Sequence, residues 1–387
     1  MKNIKIFKYK DIILIGNENN GMIIAMKKEF EKSIRKFFSN ECYDDNEVKN
    51  IEKILKDNNF FDDFSNKSAY LHVTHKCNLN CKGCYSAISN RNKYDDLKLS
   101  EYIKIIDNLI KINVKTIIIS GGEPLLNKDI LEIVKHCKKN KLNVILISNG
   151  TLPIRYYIPI MKYVDQISFS IDGWNNKISF LRDKNILNKI KLNIKFLKKY
   201  KNKMSLIVIL HKKNIKYIKN YINLSNKLKI PISFSLFDSY TKNEFSLDAD
   251  DFKKLEHLSN MMYYPILDTP IESKNIGCQT SCGAGNNLFS VDAFGNLYPC
   301  HLLMHEKYKI CKAQDENIME HIKNGQFYKI NVDDFNKCKK CKIKYLCGGG
   351  CRKRALNNSL SVLGKDPCCK LFKKTIIKNL EDLINEN

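Results

Sequence analysis

No stretch of this 387-residue chain approaches the about 20 consecutive apolar residues of a membrane-spanning helix. The N-terminal run MKNIKIFKYKDIILIG holds one short apolar piece, residues 12–15. That piece is too short for the core of a secretion signal, and no small-residue cleavage site follows it. A cytoplasmic chain is therefore expected, with no membrane partner. Acidic residues are also scarce: 41 Asp and Glu stand against 66 Lys and Arg, a formal net charge of +25. Such a balance can mark nucleic-acid binding. Here the lysines are spread through every segment beside abundant Asn and Ile, which reads as a compositional bias and not as a binding stripe. No nucleic-acid partner is expected. Hydrophobic residues make up 43% of the chain, so it is globular, and its length exceeds one typical domain.

Cysteine, by contrast, is plentiful. Fifteen cysteines, an odd total with tight C-x2-C and C-x3-C spacings, argue for metal rather than disulfides and for a reducing setting. The segment Cys77-Asn78-Leu79-Asn80-Cys81-Lys82-Gly83-Cys84 carries three of them as C-x3-C-x2-C, just after a strand-like run at residues 70–74. Structural zinc asks for four protein ligands. Three thiolates on one loop suit an iron–sulfur cluster better and leave one iron open to a small molecule.

Residues 1–64 read as a separate unit, with strand-like pieces within 4–15 and at 22–26, then helices at 28–38 and 47–58. From residue 66 to 240 the pattern alternates. Strands are expected at 70–74, 116–120, 144–148, 166–171, 204–210 and 231–236. Helices are expected at 100–112, 127–139, 154–162, 183–200 and 215–228. This implies parallel strands with crossover helices, an α/β fold closing as a partial (β/α)6 barrel. The chemistry of such barrels sits at the C-terminal strand ends. Ser120-Gly121-Gly122-Glu123-Pro124, Ser148-Asn149-Gly150 and Ser168-Phe169-Ser170-Ile171-Asp172-Gly173 all fall at such ends. Another helix is expected at 247–263, within a linker spanning 241–274, and a cysteine-rich domain at 275–387.

The three-cysteine loop resembles the signature of the radical S-adenosylmethionine (radical SAM) enzymes. The family usually has an aromatic before the third cysteine; here Gly83 holds that place and Tyr85 follows the cysteine. The resemblance implies a 4Fe–4S cluster on Cys77, Cys81 and Cys84. Around SAM it places Tyr85, Gly121, Gly122, Glu123, Ser148, Asn149, Ser170, Asp172 and Arg182. Glu123 would take the methionine amino group and Arg182 the carboxylate, where a planar guanidinium pairs better than an ammonium. In that family the reduced cluster cleaves SAM to a 5′-deoxyadenosyl radical, which takes a hydrogen from a carbon.

The later cysteines run C-x12-G-x4-C through Cys282, Gly295 and Cys300, then C-x2-C-x5-C-x3-C through Cys338, Cys341, Cys347 and Cys351, then Cys368-Cys369. This is similar to the SPASM extension of radical SAM enzymes. It implies two auxiliary 4Fe–4S clusters, three in all. Auxiliary cluster I would take Cys282, Cys300 and Cys351, with Cys278 as fourth ligand or, without it, an open iron; auxiliary cluster II would take Cys338, Cys341, Cys347 and one of the last pair, with Cys369 favoured because relatives read D-P-x-C. Cys42, Cys137, Cys311 and Cys368 are left as plain thiols, and a zinc ribbon on residues 338–351 is the structural alternative. His301, after Cys300, is a candidate base; relatives that make formylglycine carry an aspartate there.

Enzymes with this tail and a small front domain mostly modify ribosomally made peptides. The expectation is a maturase of such a precursor peptide, forming a cysteine thioether crosslink and fed electrons by a flavodoxin or ferredoxin. Residues 1–64 resemble a winged-helix-like module that would bind the leader by strand addition; a cap over the barrel's end is the structural alternative. Alternatives are carbon–carbon crosslinking, sulfatase-type formylglycine maturation and, outside enzymes, an Fe–S electron carrier.

Overall fold

The computed structural model describes residues 3–39, 45–62, 67–239, 241–259 and 276–385. Cys42, the end of the helix expected at 247–263 and residues 260–274 of the 241–274 linker lie outside them. The chain divides into two compact units, residues 1–66, 269–282 and 330–387 in one and 67–268 with 283–329 in the other.

The first unit opens with a three-stranded antiparallel meander, β1 (Ile4–Tyr9), β2 (Ile12–Asn17) and β3 (Ile23–Lys27), followed by α1 (Glu31–Phe38) and α2 (Asn46–Asp57). The Asp45 side chain caps α2 by accepting the Glu47 N–H at 2.9 Å. Ile51 and Leu55 then face inward one turn apart and close a core with Ile13, Ile15, Ile34 and Phe60.

In the second unit, six parallel strands stand side by side in chain order: β4 (Ser68–His72), β5 (Thr116–Ser120), β6 (Asn143–Ser148), β7 (Gln166–Ile171), β8 (Met204–Leu210) and β9 (Ile232–Leu236). Between them run α3 (Leu99–Lys111), α4 (Ile130–Lys139), α5 (Ile186–Phe196) and α6 (Ile218–Leu228), with α7 (Ala249–Ser259) after β9. In β8 every residue but one is buried, as expected of a parallel strand covered on both faces. The expected partial barrel of parallel strands is therefore present.

Two local differences have plain causes. The helix expected at 154–162 is reduced to two short 3-10 turns, Ile154–Tyr156 and Ile160–Lys162. Pro159 in the middle of that span has no N–H to give a helix, and its ring crowds the preceding turn. The sheet also does not stop at six strands. β10 (Leu288–Val291) pairs parallel with β4, and β11 (Asn296–Tyr298) and β12 (Cys311–Lys312) continue antiparallel, making nine strands, with α8 (Ile318–Asn324) beyond them. Residues 283–329 thus group with the barrel, whereas a C-terminal domain was expected from residue 275. The first unit resumes with α9 (Lys344–Cys347), α10 (Arg352–Ser359) and α11 (Cys369–Asn385). Among the described residues no helix is long and apolar enough to cross a membrane.

Candidate functional site

The loop leaving β4 is laced to the next strand end through its backbone. The Gly122 N–H donates to Thr74 O at 2.9 Å and the Glu123 N–H to Lys76 O at 2.8 Å. Gly121 has a φ of +127°, and a Cβ there would meet Thr74 O at 2.5 Å; a Cβ on Gly122 would collide with Lys76 O and stand 2.6 Å from His75 O. Both glycines are required by this close approach. We predict that Gly122→Ala displaces the cysteine loop and lowers SAM turnover by about 100-fold or more, with an unchanged far-ultraviolet circular dichroism spectrum as the fold control.

The three thiols on the loop are partly buried. The Leu79 N–H reaches the Cys77 sulfur at 3.5 Å, and the Asn149 amide lies 3.9 Å from the same sulfur. Arg91 is buried with one guanidinium nitrogen 4.0 Å from the Cys84 sulfur and another donating to Leu79 O. Burial pushes the Cys77 thiol up. It carries the Cys81 thiol up to about 11, with Cys84 and Cys77 adding to the rise and Arg182 opposing it. Three thiols on one loop, supplied with N–H donors, form a donor set that fits an iron–sulfur cluster, whose sulfurs accept such bonds. Among the described residues no three His, Cys, Asp or Glu side chains converge on one metal ion; a cluster offers its thiolates separate irons and asks for no such convergence.

Glu123 is fully buried and already engaged. Its carboxylate accepts from Ser148 Oγ at 2.9 Å, from the Asn149 N–H at 2.8 Å and from the Leu125 N–H at 3.4 Å. It therefore fixes the end of β6, and Ser148 and Asn149 with it. Burial raises its pKa to about 7 against these bonds and the Arg182 charge. Between its ordinary range and about 7 the folded chain holds a proton that the unfolded chain has released. The linked stability is fully present below the ordinary carboxylate range and is lost as pH rises through 7, up to about 3 kcal/mol. Urea midpoints from pH 5 to 8 should fall for the ligand-free wild type and lose most of that slope in Glu123→Gln.

At β7, Asp172 acts as a loop clamp. Its Oδ2 accepts the N–H groups of Phe180, Leu181 and Arg182 at 2.6, 3.0 and 3.2 Å. The clamped loop meets the cysteine loop where the Lys82 N–H donates to Leu181 O at 2.8 Å, and Arg182 Nη1 donates to the Ser170 carbonyl at 2.6 Å. Tyr85 places its hydroxyl 3.1 Å from Ser120 Oγ. Cys77, Cys81, Cys84, Tyr85, Gly121, Gly122, Glu123, Ser148, Asn149, Ser170, Asp172 and Arg182 are thus brought to one end of the parallel sheet.

His301 lies in the same unit, its ring 4.2 Å from that of Tyr70 and 6.2 Å from that of Tyr85. Its Nδ1, like His72 Nε2, has no hydrogen-bond partner among the described residues. Burial pushes His301 down to about 4 and His72 to about 3, so both are held neutral. Sequence reasoning missed His72; its period-two spacing from Tyr70 along β4 was the available signal. Cys300, beside His301, is buried in this unit.

The first unit holds Cys278, Cys282, Cys338, Cys341, Cys347, Cys351, Cys368 and Cys369. All fourteen described cysteines are free thiols. Burial and then Cys369 and Cys341 raise Cys338, burial and then Cys369 raise Cys347 to about 12, and Cys341 acts on Cys369, so these four form one group. Cys351 is pushed up to about 12 by burial, with Asp366 and Cys282 adding to the rise against Arg354. Cys278 lies apart from these influences: the charges acting on it are those of Glu18 and Lys5, and a Cβ on Gly16 of β2 would stand 2.5 Å from its sulfur. Between Cys347 and Cys351 run Gly348, Gly349 and Gly350, all with positive φ of 59°, 83° and 76°. Side chains there would strike Ser281 O, the Phe335 ring and Asp366 respectively. That left-handed run fixes the x3 spacing and was not singled out in the sequence.

A sequence model described as the Radical SAM superfamily matches residues 71–225. The chain is 26% identical over 359 residues to a cysteine-type anaerobic sulfatase-maturating enzyme of Clostridium perfringens, covering 80% of this chain and 95% of the relative. It is 23% identical over 344 residues to the PqqA peptide cyclase of Bradyrhizobium diazoefficiens, covering 80% and 88%. The crystal structure of Streptococcus suis SuiB bound to precursor peptide SuiA superposes with a TM-score of 0.61 at 17% identity, over 95% of this chain and 99% of that one, a likeness of fold. With its cysteine loop, double glycine and strand-end polar residues gathered at one end of a parallel sheet, the chain belongs to the radical SAM superfamily.

Proposed function

We propose that this radical SAM enzyme matures a ribosomally made peptide, joining a cysteine sulfur to a carbon of another residue. The observation that carries the reading is the cysteine loop held by backbone bonds against Gly122 and Glu123 at the sheet's C-terminal end. When bound there, a cluster on Cys77, Cys81 and Cys84 with SAM supplies one-electron cleavage and a hydrogen-abstracting radical. The chain's part is positioning. Glu123 and the Asp172 clamp hold the strand ends, and Arg182 is carried to the cysteine loop for the SAM carboxylate. His301 and His72, neutral and with unpaired nitrogens, are candidate hydrogen-bond partners beside Tyr70 and Tyr85. The likeness to enzymes named for peptide cyclisation and sulfatase maturation supports a peptide substrate.

Cys338, Cys341, Cys347 and Cys369 are read as thiolates of one auxiliary cluster, and Cys282 with Cys351 as thiolates of another. A leader peptide would add to an edge strand of the three-stranded sheet. A cytoplasmic flavodoxin or ferredoxin is the proposed reductant.

The test is the mass of a candidate precursor peptide after anaerobic incubation with SAM and reductant. Loss of two hydrogens per site together with loss of thiol alkylation is expected. Loss of hydrogens with the thiols still alkylated would replace the thioether by a carbon–carbon bond. A second reading, oxidation of a cysteine or serine to formylglycine, is favoured by the 26% identity to the C. perfringens enzyme; its product would react with hydrazides.

A further inference from the structure

The consecutive residues Cys368 and Cys369 at the start of α11 have different surroundings. Cys369 belongs to the group of Cys338, Cys341 and Cys347. Cys368 is fully buried, its thiol hydrogen-bonded to Asp366, with Cys351 among the groups that act on it. The tie between them is a single carboxylate. Asp366 accepts the Cys351 N–H on Oδ2 at 2.6 Å and the Cys368 N–H on Oδ1 at 2.8 Å. The two cysteine backbones are therefore held side by side across one carboxyl group. Arg354 closes the arrangement, pairing with the same carboxylate at 3.1 Å with both side chains buried. Its positive charge acts on Cys351 and Cys368 alike. Cys282, on the same unit, acts on Cys351.

We propose that Cys368 is a ligand of the cluster that takes Cys282 and Cys351, so that the Cys368-Cys369 pair is divided between two clusters. Successive side chains at a helix start diverge by about 100°, which lets adjacent residues serve separate sites. Cys278, with its sulfur against Gly16, is then left outside that ligand set. Loading releases the proton of each thiol. This inference rests on the auxiliary-cluster reading given under the proposed function.

The test uses the full chain carrying Cys77→Ala, Cys81→Ala and Cys84→Ala, so that only auxiliary iron is read. Reconstituted without oxygen, it should hold about eight irons, two clusters' worth, and give two reduced cluster signals by electron paramagnetic resonance. Adding Cys368→Ser should shift or remove one signal, with up to half of the iron lost, and leave the other as an internal control of folding. Adding Cys278→Ser instead should leave both. A second measurement needs no change at residue 368: ferricyanide breakdown of the clusters couples neighbouring ligand sulfurs, and a disulfide from Cys368 to Cys351 or Cys282 is expected. Unaltered iron and spectra in Cys368→Ser, or recovery of Cys368 as a free thiol after ferricyanide, overturns the assignment while leaving the auxiliary clusters standing. A triple-alanine chain that binds no iron overturns the cluster reading itself and this assignment with it.

Discussion

Replacing Cys77, Cys81 and Cys84 together by alanine is expected to bring 5′-deoxyadenosine formation from SAM below detection and to remove about four irons. The chain should nevertheless fold. Each thiol is only partly buried, and the loop is held by other groups. The Cys77 N–H donates to Asn92 Oδ1 at 2.9 Å, the Lys82 N–H to Leu181 O at 2.8 Å and the Gly122 N–H to Thr74 O at 2.9 Å, none of which alanine removes. The cost of each substitution should stay near about 1 kcal/mol. Loss of SAM cleavage with an unchanged far-ultraviolet circular dichroism spectrum is the expected pair of observations. Cleavage that persists in the triple variant would move the reductive site away from β4.

The second large effect is on stability. Asp366 is 1% exposed, pairs with buried Arg354 and accepts the N–H groups of both Cys351 and Cys368. Asp366→Asn leaves a guanidinium buried without its counter-charge, and breaking such a pair from one side costs about 3–5 kcal/mol. A urea midpoint measured on the anaerobically reconstituted protein should drop accordingly. Changing both partners, Arg354→Met with Asp366→Leu, should recover part of the loss, because no charge is then stranded. Recovery stays partial because the two cysteine N–H groups still lack their acceptor. An Asp366→Asn midpoint equal to that of the wild type would show that the pair contributes nothing.

The parallel sheet was legible in the sequence where a strand is long enough to show its pattern. The bounds of β5, β7 and β8 coincide with those expected from alternation of short apolar runs and periodic helices. β10, β11 and β12 were not found, because strands of two to four residues carry no period. Pro159 overrode an apolar pattern that otherwise reads as helix. At the candidate site the cysteines and glycines announce themselves through spacing. The roles of Glu123 and Asp172 as internal clamps do not, since their partners Asn149 and Phe180 are fixed by the fold and not by a motif. The same holds for Arg354 and Asp366, twelve positions apart, and for the different surroundings of two adjacent cysteines.

The pairing of β10 with β4 also has a consequence for the order of synthesis. Ser68 takes Leu288 as its partner, about 220 residues later in the chain. At roughly 5–20 residues per second, the ribosome delivers that second edge about 10–45 s after β4 emerges. Over that interval β4 can pair only with β5, and the loop carrying Cys77, Cys81 and Cys84 hangs from a sheet that lacks three of its nine strands. Joining strands so distant in sequence is slow. The three thiols of that loop thus leave the ribosome well before the sheet that carries them can be completed.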